Sequence, residues 1–179
     1  MYSILETERL LLRPFEMSDA EDVYAYAKNP NVGPTAGWKP HESLEESVDI
    51  IENLFLANDM WAIVFKETGH VIGTIGLEPD KRRPDIPSKE LGYSLSEEFW
   101  GKGIMTEAAQ AVIRYGFEDL GLEVLAICTS PTNNRSARVI EKCGFTYEGI
   151  QRRCYKIFDG SLRDSRCYSL LKDEWQALV

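Results

Sequence analysis

The sequence predicts a single α+β domain over residues 1–179, with a central, mostly antiparallel, twisted sheet and about four flanking helices. Three observations carry that reading. Short β-rich runs follow one another across turn-forming residues, which favours antiparallel neighbours. Helical stripes interrupt these runs without the strict strand–helix alternation of a doubly wound parallel sheet. The chain has 179 residues, 44% of them hydrophobic. That is enough for one substantial core, and no internal repeat, low-complexity segment or interdomain linker divides it.

The elements read in order as follows. Residues 9–15 form an apolar run closed by Pro14 and read as a strand. Ser18 stands as a helix N-cap with Glu21 three residues on, followed by Val23, Tyr24 and Ala27 at helical spacing. Residues 29–41 are rich in proline and glycine and read as a loop. A second helix starts at Ser43, with Leu44, Val48, Ile51, Leu54 and Phe55 as its apolar stripe. Residues 61–65 and 71–77 form a hairpin, in which Gly73 and Gly76 mark close backbone approach or a bulge. After a polar loop at 81–87, residues 90–95 make the fourth strand. Residues 100–103 form a glycine-rich turn into a helix running to about Leu120, with Ile104, Ala108, Ala111, Val112 and Tyr115 inward and Gly121 as C-cap. Residues 124–129 are the fifth strand, 133–143 a short helix, and 145–158 with 161–171 a closing hairpin that turns at Asp159 and Gly160.

Composition narrows the function. The net charge of −9 argues against broad nucleic-acid binding, which needs a basic face. No apolar run has the length of a bilayer span, and the first residues lack a signal peptide's apolar centre. The four cysteines (Cys128, Cys143, Cys154, Cys167) show no CxxC spacing and read as buried, reduced thiols of a cytoplasmic protein. The charge is unevenly spread. Residues 1–60 hold 12 acidic against 4 basic side chains, whereas residues 133–156 hold 6 basic against 2 acidic. That distribution suits a protein handling a cation at one place and a polyanion at another. It also suits ordinary solvated faces.

Two elements carry chemistry. Strand, then Gly101-Lys102-Gly103, then helix presents free backbone N–H groups to an anion, with the helix N-terminus adding partial positive charge. The same string also reads as a plain turn. The triphosphate-loop pattern GxxxxGK[ST] does not occur, and GxGxxG would need glycine at Thr106. The second element, residues 131–145, starts at Asn133, which reads as an N-cap, with Val139, Ile140 and Cys143 inward and Arg135, Arg138 and Lys142 outward.

Together these elements resemble the GNAT (GCN5-related N-acetyltransferase) superfamily, in its ribosomal-protein N-terminal acetyltransferase (RimJ/RimL-like) branch. The resemblance covers almost the whole chain. It rests on ETERLLLR at 6–13, ELGY at 90–93, FWGKG at 99–103 with TEA at 106–108, NxxS at 133–136 and EKxGF at 141–145. Glu148-Gly149, Asp159-Gly160, Arg163-Asp164 and the closing 168–171 also fit. The resemblance implies acetyl-CoA as co-substrate, a primary amine as acceptor, and direct transfer without a covalent intermediate. It implies that the fourth and fifth strands splay to admit the pantetheine arm, bonded by the backbone of Tyr93, Ser94 and Leu95. Gly101, Lys102, Gly103, Ile104, Met105 and Thr106 would hold the pyrophosphate through backbone N–H groups, Asn133 would touch the pantetheine, and the basic helix face would approach the adenosine phosphate. A homodimer is compatible with it by analogy. The sequence departs from the superfamily's glycine motif at Trp100 and Met105, the latter expected to crowd the phosphate turn. It has Ile140 where many relatives carry a tyrosine acid.

An ammonium ion has no lone pair, so the enzyme needs a proton acceptor and a group that stabilises the departing thiolate. Ser136 is the candidate for the thiolate and equally reads as a first-turn helix residue bonded to backbone. Glu90 is the candidate base and equally reads as a surface carboxylate at a strand start. Glu148 and Asp164 read as structural groups at the sheet end. His41 and Trp38 border the expected acceptor entrance, and His70 lies in a hairpin turn without a chemical role. No residue cluster has metal-ligand spacing. The reading is an acetyl-CoA-dependent N-acetyltransferase acting on a protein N-terminus or a small cationic amine. The alternatives are a non-catalytic acyl-CoA sensor and a nucleotide hydrolase.

Overall fold

A computed structural model describes residues 3–58 and 60–178. Residues 1, 2, 59 and 179 belong to the predicted domain and lie outside the described residues. The strands are β1 (Leu5–Glu6), β2 (Leu10–Pro14), β3 (Trp61–Phe65), β4 (Val71–Pro79), β5 (Ser88–Leu95), β6 (Val124–Thr129), β7 (Thr146–Lys156) and β8 (Leu162–Leu171). The helices are α1 (Ala20–Ala27), α2 (Gly33–Ala36), α3 (Leu44–Ile50), α4 (Ile104–Glu118), α5 (Asn134–Lys142) and α6 (Lys172–Gln176). The expected fold is confirmed. Short β1 shifts the count by one, so the fourth and fifth strands of the sequence reading are β5 and β6. Among the described residues no helix is long and apolar enough to cross a membrane.

The eight strands form one sheet in the order β1-β2-β3-β4-β5-β6-β8-β7. Every neighbouring pair is antiparallel except β5 and β6. That parallel pair holds only over Ser88↔Val124, Lys89↔Leu125 and Glu90↔Ala126. β5 continues to Leu95, still paired to β4, while β6 continues to Thr129, paired to β8. The two strands therefore fork after Glu90.

Side-chain alternation sorts the core onto two faces. Leu10, Leu12, Trp61 and Ile63 join Ile104, Ala108, Val112 and Ile113 of α4 in the larger core. Ala62 and Val64, from the opposite face, join Val23, Tyr26, Ile51 and Phe55 in the smaller one. β3 is consequently buried on both sides and reads as a continuous apolar run.

Local structure departs from the sequence reading at three places. Asp19, not Ser18, organises the entry to α1. Its carboxylate accepts from the Glu16 N–H at 2.8 Å and pairs with Arg13 at 2.8 Å, after a 3₁₀ turn over Met17–Asp19. Residues 29–41 are not wholly loop, because Gly33–Ala36 closes one helical turn at Gly37. α3 passes into a π turn over Ile51–Phe55, where the Leu56 N–H reaches the Ile51 carbonyl. The wider turn breaks the 3.6-residue stripe. Ile51 and Phe55 stay buried, while Leu44 and Leu54 are 41% and 43% exposed.

Gly73 meets its expectation. The β3–β4 register slips between Ile63 and Val64, which face Gly73 and Val71, so Ile72 is bulged. A Cβ at Gly73 would collide with the Ser94 carbonyl oxygen, whereas one at Gly92 would meet nothing within 4 Å. Gly73→Ala should therefore destabilise the chain by about 2 kcal/mol. Gly92→Ala should leave it within about 0.5 kcal/mol. Paired urea unfolding curves test the contrast.

Candidate functional site

The fork opens a cleft of about 1140 Å³. Beyond Glu90 the backbone edge of β5 that faces β6 has no strand partner. Its N–H and C=O groups need partners from elsewhere. An extended ligand lying in the gap can supply them, as a strand would.

The glycine turn closes one end. Gly101 and Gly103 have φ of 74° and 76°, the left-handed region that glycine adopts without a Cβ penalty. Gly103 is the N-cap of α4 and offers no side-chain cap. The first-turn N–H groups of this 15-residue helix are thus left without a capping side chain. The opening motif fixes the turn from behind. Arg9 donates to the Glu107 carboxylate at 2.6 Å and to the Lys102 carbonyl at 2.9 Å. Thr7 and the Arg9 N–H both donate to the other Glu107 oxygen, at 2.6 and 2.9 Å. Burial alone would raise the Glu107 carboxyl, but these donors and the Arg9 charge together outweigh it and hold it below the ordinary value. A carboxylate in a helix first turn would repel an anionic ligand, and its pairing with Arg9 offsets that. Trp100 braces the same corner: its indole N–H donates to the Leu95 carbonyl at 2.9 Å, and the Arg135 guanidinium stacks on its ring at 4.0 Å.

The opposite wall comes from the start of α5. Asn133 caps the helix, its side chain accepting from the Ser136 N–H at 3.1 Å. The Ser136 hydroxyl lies 2.9 Å from the Tyr93 hydroxyl, so one hydroxyl bond crosses the gap from β5 to α5. Burial pushes the Tyr93 hydroxyl's pKa upward and the Ser136 contact only partly opposes it, which keeps Tyr93 protonated. Ile140 is 1% exposed and belongs to the core, not the cleft.

Glu90 sits at the branch point and pairs with Arg82 at 3.1 Å. Arg82 also reaches Asp80 at 3.5 Å and donates to the sulfurs of Cys128 and Cys167. Burial raises the Cys128 thiol, against the opposing pull of Arg82. No cysteine is disulfide-bonded, but only Cys143 and Cys167 are buried; Cys128 is half-buried and Cys154 exposed, so the expectation of four buried thiols holds in part.

A strap crosses the cleft at the other end. The Tyr155 hydroxyl donates to the Ala36 carbonyl at 2.7 Å, Arg163 to the Pro34 carbonyl at 2.8 Å, and the Phe158 N–H to the Gly37 carbonyl at 3.2 Å. These bonds tie α2 to the β7–β8 hairpin.

The residues assigned from sequence to catalysis or to the cofactor all line this one cleft (Ser136, Glu90, Tyr93, Ser94, Leu95, Gly101, Gly103, Ile104, Met105, Thr106, Asn133) except Lys102. The Lys102 ammonium lies over the Phe99 ring at 5.4 Å. Met105 does not project into the turn, because its side chain is 5% exposed and packed in the larger core. Arg135, Arg138 and Lys142 line the cleft, as does Trp38, whereas His41 is buried with its Nδ1 2.8 Å from the Ser47 hydroxyl. Glu148 is structural, accepting from Arg83 and Ser169 at 2.6 and 2.9 Å. Asp164 accepts from the Arg153 N–H at 2.8 Å. Sequence reasoning missed the Thr7–Arg9–Glu107 clamp, the role of Arg82 and the strap. The TER and TEA strings were visible, but their pairing across 98 residues was not.

The clamp has a pH signature. A carboxyl held low in the folded state contributes stability that is complete above its unfolded value of about 4.3 and is lost as pH falls through the folded value. Melting temperature should drop from pH 5 to pH 3, and by less in Glu107→Gln. At pH 7 that variant should be about 1–2 kcal/mol less stable than the parent. Thermal melts of both proteins across that range test the assignment.

The sequence profile described as Acetyltransferase (GNAT) domain matches residues 9–146. The chain is similar to the N-acetyltransferase YoaA of Bacillus subtilis strain 168, at 33% identity over 180 residues, covering 96% of this chain and 98% of that protein. Its fold is similar to that of a solved GNAT-family acetyltransferase from Bacillus anthracis, with a TM-score of 0.84 and 25% identity over 96% of this chain and 99% of that one. It is also similar to the ribosomal-protein-S5-alanine acetyltransferase of Vibrio fischeri, with a TM-score of 0.77 and 25% identity over 97% and 99% of the two chains. A profile match over most of the chain, a full-length relative and the forked sheet agree: the chain belongs to the GNAT acetyltransferase family.

Proposed function

We propose that this chain transfers an acetyl group directly from acetyl-CoA to a primary amine, on a protein N-terminus or a small cationic amine, in the cytoplasm. The carrying observation is the continuity of the unpaired β5 edge with the uncapped N-terminus of α4, in one cleft also lined by Arg135, Arg138 and Lys142. An arm rich in amides matches the first feature and a pyrophosphate the second. Three basic side chains suit a further phosphate.

The roles follow from position. The backbone of Tyr93, Ser94 and Leu95 holds the pantetheine and orients the thioester carbonyl, with Asn133 bordering the same arm. N–H groups from Gly101 to Thr106 hold the pyrophosphate, Lys102 contributing through its backbone alone. Ser136 stabilises the departing thiolate. When Tyr93 donates to the Ser136 hydroxyl, the serine proton is left free to point at the sulfur. Glu90, at the branch point, takes the acceptor's proton directly or through water, with Arg82 holding the carboxylate in place. Burial of Ile140, where many relatives carry a tyrosine acid, favours a second reading as an acyl-CoA sensor without turnover.

Thiol release measured with acetyl-CoA and a panel of amines separates the two. Amine-dependent release is expected; tight CoA binding with no release on any amine identifies the sensor. Ser136→Ala should lower kcat about 10- to 100-fold. Its acetyl-CoA affinity, measured by calorimetry, should stay within about twofold, because Ser136 acts on the charge developed during transfer. Gly103→Asp puts a like charge and a strained side chain in the turn and should abolish CoA binding. Unchanged affinity there removes the pyrophosphate assignment.

A further inference from the structure

We infer that the acceptor half of the cleft is a subsite for a primary amine carried on an apolar or aromatic body, its ammonium received by Glu78. This deepens the acetyl-transfer reading above and rests on it.

The cleft floor is a strip of three cross-strand pairs on one face of β4 and β5: Thr74↔Ser94, Gly76↔Gly92 and Glu78↔Glu90. Residues two apart on a strand share a face, and all but Gly76 line the cleft. Gly76 is covered by the Met60 methyl, which would lie 2.9 Å from an added Cβ. Over Gly92 the space is open. The floor is therefore a shallow trough that ends in two carboxylates side by side.

Those carboxylates are not equivalent. Glu90 is paired with Arg82, whose other contacts are Asp80 and two thiols. Glu78 is exposed and, among the described residues, its carboxylate has no ion-pair or hydrogen-bond partner. Like charges directly opposite in a sheet destabilise it, and one guanidinium serves only one of the pair. A single incoming ammonium satisfies the second and is favoured for that reason.

The walls select what the ammonium is attached to. Val32, Trp38, Leu54, Phe55, Met60 and Tyr155 line this half. Leu54 and Tyr155 are 43% and 42% exposed, apolar surface left uncovered beside the trough. The π turn after α3 is what rotates Leu54 out of the core. The remaining charges do not favour a polycation. Lys81, Arg82 and Arg163 stand against Glu78, Glu90 and Asp164, an even balance. No Asp or Glu among the described residues of 1–60 lines the cleft. The acidic side chains of that third lie away from the cleft, some of them in pairs such as Glu6–Lys66 and Glu46–Lys39. One carboxylate, an apolar wall and no net negative field fit a monoamine with an apolar body better than a polyamine or an aminoglycoside.

The test uses the full chain with saturating acetyl-CoA. Thiol release is followed with phenethylamine, a phenylalanine-led dipeptide amide, ethanolamine and spermidine, alongside calorimetry for acetyl-CoA. The proposal expects kcat/KM for phenethylamine or the dipeptide at least about tenfold above that for ethanolamine and spermidine. Turnover of phenethylamine alone identifies a free amine as the source, and turnover of the dipeptide alone a peptide N-terminus; both support the subsite chemistry. Glu78→Gln should raise the amine KM about tenfold, with kcat and acetyl-CoA affinity changing less than about threefold. Leu54→Ser, at an exposed position, should narrow the preference for the aromatic amine about fivefold. A preference for spermidine, or an unchanged KM in Glu78→Gln, overturns the subsite while leaving acetyl transfer intact. Acetyl-CoA binding without release on any amine overturns the acetyl-transfer reading, and the subsite with it.

Discussion

The architecture depends on a sheet that is stitched on both sides of a gap and unstitched in the middle. β5 keeps its ladder to β4 through Leu95, and β6 keeps its ladder to β8 through Thr129. Only three residue pairs join the two halves. Because β5 stays paired to β4 and β6 stays paired to β8, the fork leaves the facing edges of β5 and β6 unpaired without unravelling either half. The gap is spanned by side chains: the Tyr93–Ser136 hydroxyl pair, and Trp100 between the Leu95 carbonyl and the Arg135 guanidinium. These bridges join β5 to α5 and to the glycine turn, so the width of the cleft is set by packing on both cores. A hydrogen-bond ladder would have closed it.

The glycine turn shows how an uncapped N-terminus is made compatible with a stable helix. A strong N-terminal side-chain cap would occupy the N–H groups a phosphate needs, and Gly103 supplies none. The order that a cap normally provides comes from outside the helix. Arg9 holds the Lys102 carbonyl and Glu107 together, and the buried faces of Ile104 and Met105 seat the first turn on the larger core. Stability and ligand access are thus drawn from different atoms of the same turn. An exposed ion pair alone would be worth little. Here one carboxylate collects several donors that converge from the turn between β1 and β2, which makes the arrangement directional as well as stabilising.

What could be read from sequence was what local physics decides. The glycine turn, the amphipathic α4 and α5, the Asn133 cap and the Gly73 bulge each follow from a few adjacent residues, and all are present. The misses share a different cause. Ser18 and Asp19 are both competent capping residues, and the choice fell to Asp19 because Arg13, on the neighbouring strand, reaches it. The stripe over α3 breaks at Leu54 because a π turn changes the pitch, and no residue in 51–55 announces one. His41 looked like a loop residue near an entrance, but Ser47, fully buried on α3, draws it inward. The catalytic candidates were legible as types. Their surroundings, Arg82 beside Glu90 and Tyr93 beside Ser136, depend on side chains brought together by folding.

The charge asymmetry is the clearest case of sequence and structure dividing the work. A basic segment after the fifth strand places Arg135, Arg138 and Lys142 in the cleft, because α5 turns its polar face toward the gap while Ala137 and Ile140 anchor the other face. Its remaining basic residues, Arg152, Arg153 and Lys156, lie on the exposed β7 strand and do not reach it. The acidic first third behaves in the opposite way. Residues 1–60 present apolar groups to the cleft because their amphipathic elements must turn apolar faces toward the sheet, and the cleft is where that sheet face is left uncovered. None of their described carboxylates lines the cleft: Glu46, Glu6 and Asp22 meet Lys39, Lys66 and His70, and Asp19 is buried against Arg13. Net charge along the chain therefore correctly anticipates the basic side chains that line the cleft and wrongly suggests acidic ones from the first third. The difference lies in which helix face meets the gap, and that is fixed by where the buried residues fall.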